Sequence, residues 1–171
     1  MKKTLLKSIA LGVIMTLAIA CQSKKEEPTT TATTPIVDKE KIKAEIVAIE
    51  TEMANMYNIR SAASEQYYAD DATSFSQNKP PLVGKFAIDK SIKEDLSSFP
   101  QGDVISFFVN EIFPSNDGEQ VVEIGSYKVA DAKGIDKFTG NYMSLFVKRD
   151  GKYVCIRDMG ASDMPKKEEK K

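Results

Sequence analysis

Apolar residues recur along this chain first at helical and then at strand spacing. Ile42, Ile46, Ile49, Met53 and Met56 step by four, three, four and three, which puts them on one face of a helix running from an Asp38 cap to about Asn58. Val37 is placed to close a hydrophobic staple onto Ile42. A second, shorter helix is expected from about Ser61, carrying Tyr67 and Tyr68 and stopping at Ala69-Asp70-Asp71-Ala72, where the two carboxylates read as turn formers rather than metal ligands. Thr73 to Ser76 reads as a short strand and Asn78-Lys79-Pro80-Pro81 as a turn. Beyond Gly84 a third helix carries Ile88, Ile92, Leu96 and Phe99 on one side and ends at Pro100.

The second half changes period. From Asp103 to Phe113 apolar residues fill both parities, with Val104, Phe108 and Ile112 on one face and Ile105, Phe107, Val109 and Phe113 on the other. Asn116-Asp117-Gly118 turns the chain into a strand from Glu119 to Val129, and a loop around Asp131 to Gly134 leads to a hairpin within Lys137 to Met159. With Gly151 as a bulge, Lys148 pairs with Lys152, and Tyr142 falls opposite Asp158 on a face shared with Ser144, Phe146, Val154 and Ile156. Met143, Leu145, Val147, Tyr153, Cys155 and Arg157 then take the other face, and a two-residue Asp150-Gly151 turn would shift this register by one. Helices followed by long strands predict an α+β domain over residues 38–160, with three N-terminal helices packed on one curved, mostly antiparallel sheet. Both faces of the hairpin are apolar, so helices on one side leave the other for a further layer or a partner subunit.

Composition narrows the chemistry. At 171 residues, one domain is expected, with a core large enough to need no disulfide. The chain has no His, which removes Ser-His, Cys-His and His-metal arrangements together. The formal charge of -1 becomes -4 once Lys2, Lys3 and Lys7 leave with residues 1–20, so no basic excess is left for nucleic acid. Those lysines precede an apolar run from Ile9 to Ala20 that is short for a membrane span and ends in small residues before Cys21.

Residues 1–20 therefore read as an export signal. Ala18-Ile19-Ala20-Cys21 resembles the lipobox of bacterial lipoproteins, although the Leu favoured three positions before the cysteine is Ala18 here; an ordinary secretory signal is the alternative. The resemblance implies a diacylglycerol on the Cys21 thiol and cleavage on its amino side. Two or three acyl chains, at about 0.8 kcal/mol per buried CH₂, anchor far more firmly than one myristoyl chain. Residues 21–37 are then a lipidated Cys and a flexible tether, and 161–171, ending in Lys and Glu, a disordered charged tail. Lys24-Lys25-Glu26-Glu27 is either a solvated linker or a segment resembling those that route lipoproteins to the surface in some Gram-negative lineages. Asp is absent from position 22, which points away from inner-membrane retention, so the expected location is the outer membrane, facing periplasm or surface. With Cys21 acylated, Cys155 has no disulfide partner and reads as an apolar filler in a strand.

The order of elements, with YYADDA at 67–72, the Gly84 to Ile88 stretch, Gly125-Ser126-Tyr127, Thr139-Gly140-Asn141-Tyr142 and the RDGKY turn at 149–153, resembles the SnoaL-like, nuclear transport factor 2-like superfamily over about Lys39 to Asp158. It is similar above all to the small stand-alone bacterial domains of unknown function in that group. The resemblance implies a cone whose curved sheet and helices enclose a pocket, often as a homodimer packed through the convex sheet face. Members include isomerases, cyclases, dehydratases and pure binding modules, so the fold names no activity. The cyclases and dehydratases usually rely on a pocket Asp with a His, which this chain lacks. The ketosteroid isomerases use an Asp base with Tyr and a protonated Asp, toward which this chain offers Asp158, Tyr57, Tyr127 and Tyr142 without the surrounding motifs. Where the family often has Trp after the final Gly-Lys, this chain has Tyr153.

Tyr57, Tyr127, Tyr142 and Asp158 are thus the expected pocket residues. Their bland counterparts are core tyrosines with satisfied hydroxyls and a strand-end carboxylate bonded to backbone. No catalytic residue, cofactor or metal is assigned. The expected function is a cell-envelope lipoprotein whose domain binds a small apolar ligand or a protein partner without catalysis. The alternative is a His-independent acid-base enzyme, of isomerase or cyclase type, using Asp158 and a tyrosine. The expected partners are the membrane, through the lipid on Cys21, and a second copy of the chain.

The anchor can be tested directly. Cys21→Ser removes the thiol on which acylation and processing depend, so the variant is expected to leave the detergent phase of an envelope extract and keep its full-length mass. A variant that still carries a lipid-bearing mature mass overturns the anchor.

Overall fold

The computed structural model describes residues 37–61 and 66–165. The signal, Cys21, nearly all of the tether and the end of the charged tail lie outside them. Helix α1 (Lys39–Asn58) starts where the Asp38 carboxylate accepts from the Lys41 amide at 3.0 Å, and it buries Ile42, Ile46, Met53 and Met56. Val37 and Ile42 come together beside Gly118, which takes a φ of 71 in the turn there. The other end of α1 is fixed by Asn58, whose side-chain amide donates to the Ile105 carbonyl at 3.0 Å and whose Oδ1 accepts from the Ile105 amide at 2.8 Å. One side chain thus does for an edge strand what a neighbouring strand would do, and ties the helix across the sheet.

The second expected helix does not reach its tyrosines. Gln66 and Tyr67 form a turn, and strand β1 (Tyr68–Ser76) begins at Tyr68; residues 62–65 lie outside the described set. A register irregularity between Tyr68 and Thr73 lets Tyr68, Ala69 and Ala72 all be buried, a pattern that is neither helical nor strictly alternating. Pairing with a neighbouring strand decides the conformation here, not local propensity. Asp70 and Asp71 are therefore strand residues and not turn formers, and Asp71 accepts both donors of the Arg149 guanidinium at 2.8 and 2.9 Å. After the short strand β2 (Leu82–Val83), Gly84 at φ 83 opens helix α2 (Lys85–Ser98), which buries Ile88, Ile92 and Leu96.

Strands β3 (Val104–Pro114), β4 (Gln120–Ala130), β5 (Asp136–Arg149) and β6 (Lys152–Ser162) complete one curved sheet of six, ordered β2-β1-β6-β5-β4-β3. Only the β1–β6 pair is parallel. The architecture is the expected α+β one, with α1 and α2 as the described helices. Strand β6 runs through Ser162, past the expected domain edge at 160.

Two bulges rearrange the expected faces. In β3 the ladder slips between Val109 and Glu111, so Ile112 joins Ile105, Phe107 and Val109 on the helix side, away from Val104 and Phe108. In the hairpin, Asp150 at φ 52 and Gly151 at φ 77 form a two-residue turn that pairs Arg149 with Lys152. This primed geometry matches the right-handed twist of the strands, which a one-residue bulge at Gly151 would not improve. A second slip between Leu145 and Phe146 leaves Ile156 as the extra residue, so Ser144 pairs with Asp158 and Tyr142 with Gly160. Turn and bulge together displace the expected pairing by two, so Tyr142 and Asp158 do not pair yet still share a face. That inner face also holds Phe146, Tyr153 and Cys155, all buried, while Met143, Leu145 and Val147 face the other way. Cys155 is fully buried, as an apolar filler should be.

Candidate functional site

Between the helices and the inner face of the sheet lies a cavity of about 190 Å³. All four expected residues line it: Tyr57 from α1, Tyr127 from β4, Tyr142 from β5 and Asp158 from β6. A wider groove of about 760 Å³ runs from α1 to the β5–β6 turn, but its charged groups, among them Glu52, Asp70, Arg149 and Lys152, are exposed. Water screens those charges, so the inner cavity, whose acids are buried, is where polar groups have most effect.

Two glycines make the floor. Tyr142 stands opposite Gly125 across the β4–β5 ladder, and Tyr127 opposite Gly140. A Cβ on Gly125 would come within 2.5 Å of the Tyr142 ring, and one on Gly140 equally close to that of Tyr127, so each tyrosine lies flat over its glycine. The Phe107 ring meets Tyr142 edge-on, with centroids 5.7 Å apart at 87°.

Asp158 lies within β6 and not at its end, and its carboxyl bonds to side chains as well as to backbone. The Tyr68 hydroxyl donates to its Oδ2 at 2.8 Å, while its Oδ1, buried at the cavity wall, has no hydrogen-bond partner among the described residues. Burial pushes this carboxyl above its ordinary pKa, and the hydroxyls of Ser74 and Tyr68 beside it pull the other way. Ser144, its partner across the β5–β6 ladder, is 1% exposed and its Oγ is likewise unpartnered.

Sequence reasoning missed the strongest electrostatic feature. Glu50 of α1 and Glu123 of β4 are 2% and 0% exposed, and their carboxyls lie close enough to act on each other, with Glu123 Oε2 given no other donor among the described residues. Tyr67 donates to Glu50 Oε1 at 2.6 Å, and Tyr142 to Glu123 Oε1 at 2.8 Å. Burial and then the charge of Glu123 hold Glu50 well above the carboxylate range. Burial takes Glu123 to about 7, against the bonds from Tyr142 and Glu50. Two acids in one dry site cannot both ionise, so the pair keeps a proton at neutral pH. Tyr57 is pushed up to about 12 by burial, with Asp95 and Asp158 adding to it, so its phenol stays neutral. Both glutamates could have been found in the sequence: Glu50 lies four residues after Ile46 and three before Met53, and Glu123 shares parity with Val121, Gly125 and Tyr127.

Neither Lys nor Arg lines the cavity. Its polar surface is acids, tyrosines and serines, which offers hydrogen-bond acceptors and neutral donors but nothing to hold an anion.

No protein-family profile matches the chain, and no curated protein matches it in sequence. Solved structures match it in fold. A domain of unknown function with a cystatin-like fold from Nostoc punctiforme superposes with TM-score 0.62 at 11% identity, over 74% of this chain and 80% of that one. A nuclear transport factor 2-like superfamily protein from Salmonella enterica serovar Typhimurium gives TM-score 0.59 at 9% identity, over 75% and 96%. A nuclear transport factor 2-like protein of unknown function from Shewanella oneidensis gives 0.55 at 18%, over 69% and 97%. At these identities the likeness concerns the fold, and the fold is the nuclear transport factor 2-like one.

The acid pair sets how stability depends on pH. A carboxyl whose pKa rises on folding, as that of Glu123 does from 4.5 to about 7, carries no penalty below the lower value and the full penalty above the higher one. Stability therefore falls as pH rises through that window, by roughly 3 kcal/mol for this group. Asp71, Asp117 and Asp131, held low by hydrogen bonds, act in the opposite sense only in more acidic solution. Urea unfolding is expected to show a more stable domain at pH 5 than at pH 8. Glu123→Gln, which keeps an acceptor for Tyr142, should flatten that difference, and a parent equally stable at both values would refute the assignment.

Proposed function

We propose that the chain is a cell-envelope lipoprotein, held in the outer membrane by the lipid on Cys21, whose nuclear transport factor 2-like domain binds a small, largely apolar ligand without turning it over. What supports this most is the cavity itself. Residues from α1, α2 and the inner sheet surround one space whose walls join Met53, Leu82, Ile88, Ile92 and Phe107 to acids, serines and tyrosine hydroxyls. A concave space in which apolar walls meet convergent polar groups is the usual form of a small-molecule site. At about 190 Å³ the space suits a small molecule.

A specific observation favours the second reading, a His-independent acid-base enzyme. Asp158 has a raised pKa, a free Oδ1 and a tyrosine hydroxyl at hand, which are requirements of a carboxylate base. The binding reading is preferred because Tyr68 gives its hydroxyl to Asp158 and Tyr142 gives its own to Glu123. Those donors are engaged by carboxylates of the protein and not aimed at a place where an oxyanion would form.

We further propose that the outer face of the sheet packs on a second copy of the chain. Val104, Phe108, Phe113, Met143 and Met159 are exposed there, and Val122, Ile124 and Leu145 lie partly buried between them. The described helices lie on the inner face, and a two-fold homodimer is the commonest way to cover such a band.

Native mass spectrometry of the protein extracted from its own envelope tests these readings together. The expected species is an acylated dimer with one small bound molecule per subunit. A monomer refutes the dimer, and an empty subunit refutes the ligand. Turnover of the recovered ligand by the parent, lost in Asp158→Asn, would install the enzyme reading instead.

A further inference from the structure

The ligand-binding reading leaves the chemistry of the ligand open, and the polar groups of the cavity narrow it. Two of them are buried acceptors without a partner among the described residues: Asp158 Oδ1 and Ser144 Oγ. They belong to residues paired across the β5–β6 ladder, so they stand side by side on one wall. A buried acceptor left unmatched is destabilising, and a ligand donor placed there recovers that cost. Two adjacent acceptors, one of them a carboxylate, suit a group with several N–H donors and a positive charge.

The rest of the cavity selects in the same direction. Glu50 forms another part of its lining, and no Lys or Arg is present to neutralise either acid. Phe107, Tyr57, Tyr127 and Tyr142 supply aromatic surface, which takes an apolar body and attracts a cation. A bare metal ion is a poor fit, because among the described residues no three acids or cysteines come close enough together to hold one.

On the premise that the cavity binds a small ligand at all, we infer that it takes a small primary ammonium ion with an apolar body. The charged end lies against Asp158 and Ser144, and the body lies among Tyr57, Phe107, Tyr127 and Tyr142. The titratable groups around Asp158 are Glu50 and Tyr57 from α1, Tyr68 from β1, Asp95 from α2, Glu123 from β4 and Cys155 from β6. Each is acidic or neutral, so none supplies the cation. Burial holds the Asp158 carboxyl up, which favours its protonated form, and an ammonium ion must displace that proton to pair with it. Binding therefore tightens as pH rises from mildly acid to mildly alkaline solution, until the amine itself loses its proton.

Calorimetric titration of the acylated protein in detergent tests this with three probes of one shape: benzylamine, benzyl alcohol and benzoate. Benzylamine is expected to bind about tenfold or more tighter than benzyl alcohol, with benzoate not binding, and its affinity should rise between pH 5.5 and pH 8. Asp158→Asn, which keeps an acceptor for Tyr68, is expected to erase the preference for benzylamine over benzyl alcohol. Equal or tighter binding of benzyl alcohol, any binding of benzoate, or a preference that survives Asp158→Asn overturns the ammonium assignment and leaves the small-ligand reading standing. Failure of all three probes also overturns it. The small-ligand reading itself falls only if the subunit extracted from its envelope carries no bound mass.

Discussion

Glu50 and Glu123 are two carboxyls buried together with no Lys or Arg paired to either among the described residues, and the surrounding structure has to resolve that conflict. It does so with a chain of contacts: Tyr67 donates to Glu50, Glu50 and Glu123 retain a proton between them, and Tyr142 donates to Glu123. The chain joins the turn before β1, helix α1 and strands β4 and β5 through the middle of the core. Polar links of this kind have fixed geometry where apolar contacts do not, so α1 is held at one height and rotation over the sheet. Asn58 performs the same task at the end of the helix, by bonding both backbone groups of Ile105.

The same conflict shapes the cavity. Since Tyr142 must reach Glu123, its ring crosses the sheet, and this is possible only because Gly125 opposite has no side chain. Gly140 does the same for Tyr127. The reciprocal Gly-Tyr pairs leave space above the floor and give it aromatic surface, while Asp158 and Ser144 contribute the unmatched acceptors at the wall. A domain selected for stability alone would replace such acids with apolar residues, and their presence is the kind of cost that functional sites carry.

The helices with caps and regular spacing were legible in the chain. Asp38 with its four-three stripe predicts α1, and Gly84 before Ile88, Ile92 and Leu96 predicts α2. Tyr67 and Tyr68 were misread because alanines and aspartates after them look helical, whereas their conformation comes from β6, some ninety residues away. The bulges at Asn110 and Ile156 left no local mark, since each is fixed by its partner strand. Tyr142 and Asp158 were found for a reason that did not depend on register, and turn and bulge happened to restore their common face. Glu50 and Glu123 escaped because an acid on an apolar stripe reads as a solvent position until the opposing element is known.

The proton held by Glu50 and Glu123 is read most directly by carbon-13 NMR of glutamate side-chain carboxyls through a pH titration. Two glutamate resonances are expected to remain in the protonated range well above pH 5 and to change together near or above pH 7, and Glu123→Gln should remove one and move the other. Titration of every glutamate close to the ordinary value of about 4.3 would contradict the account.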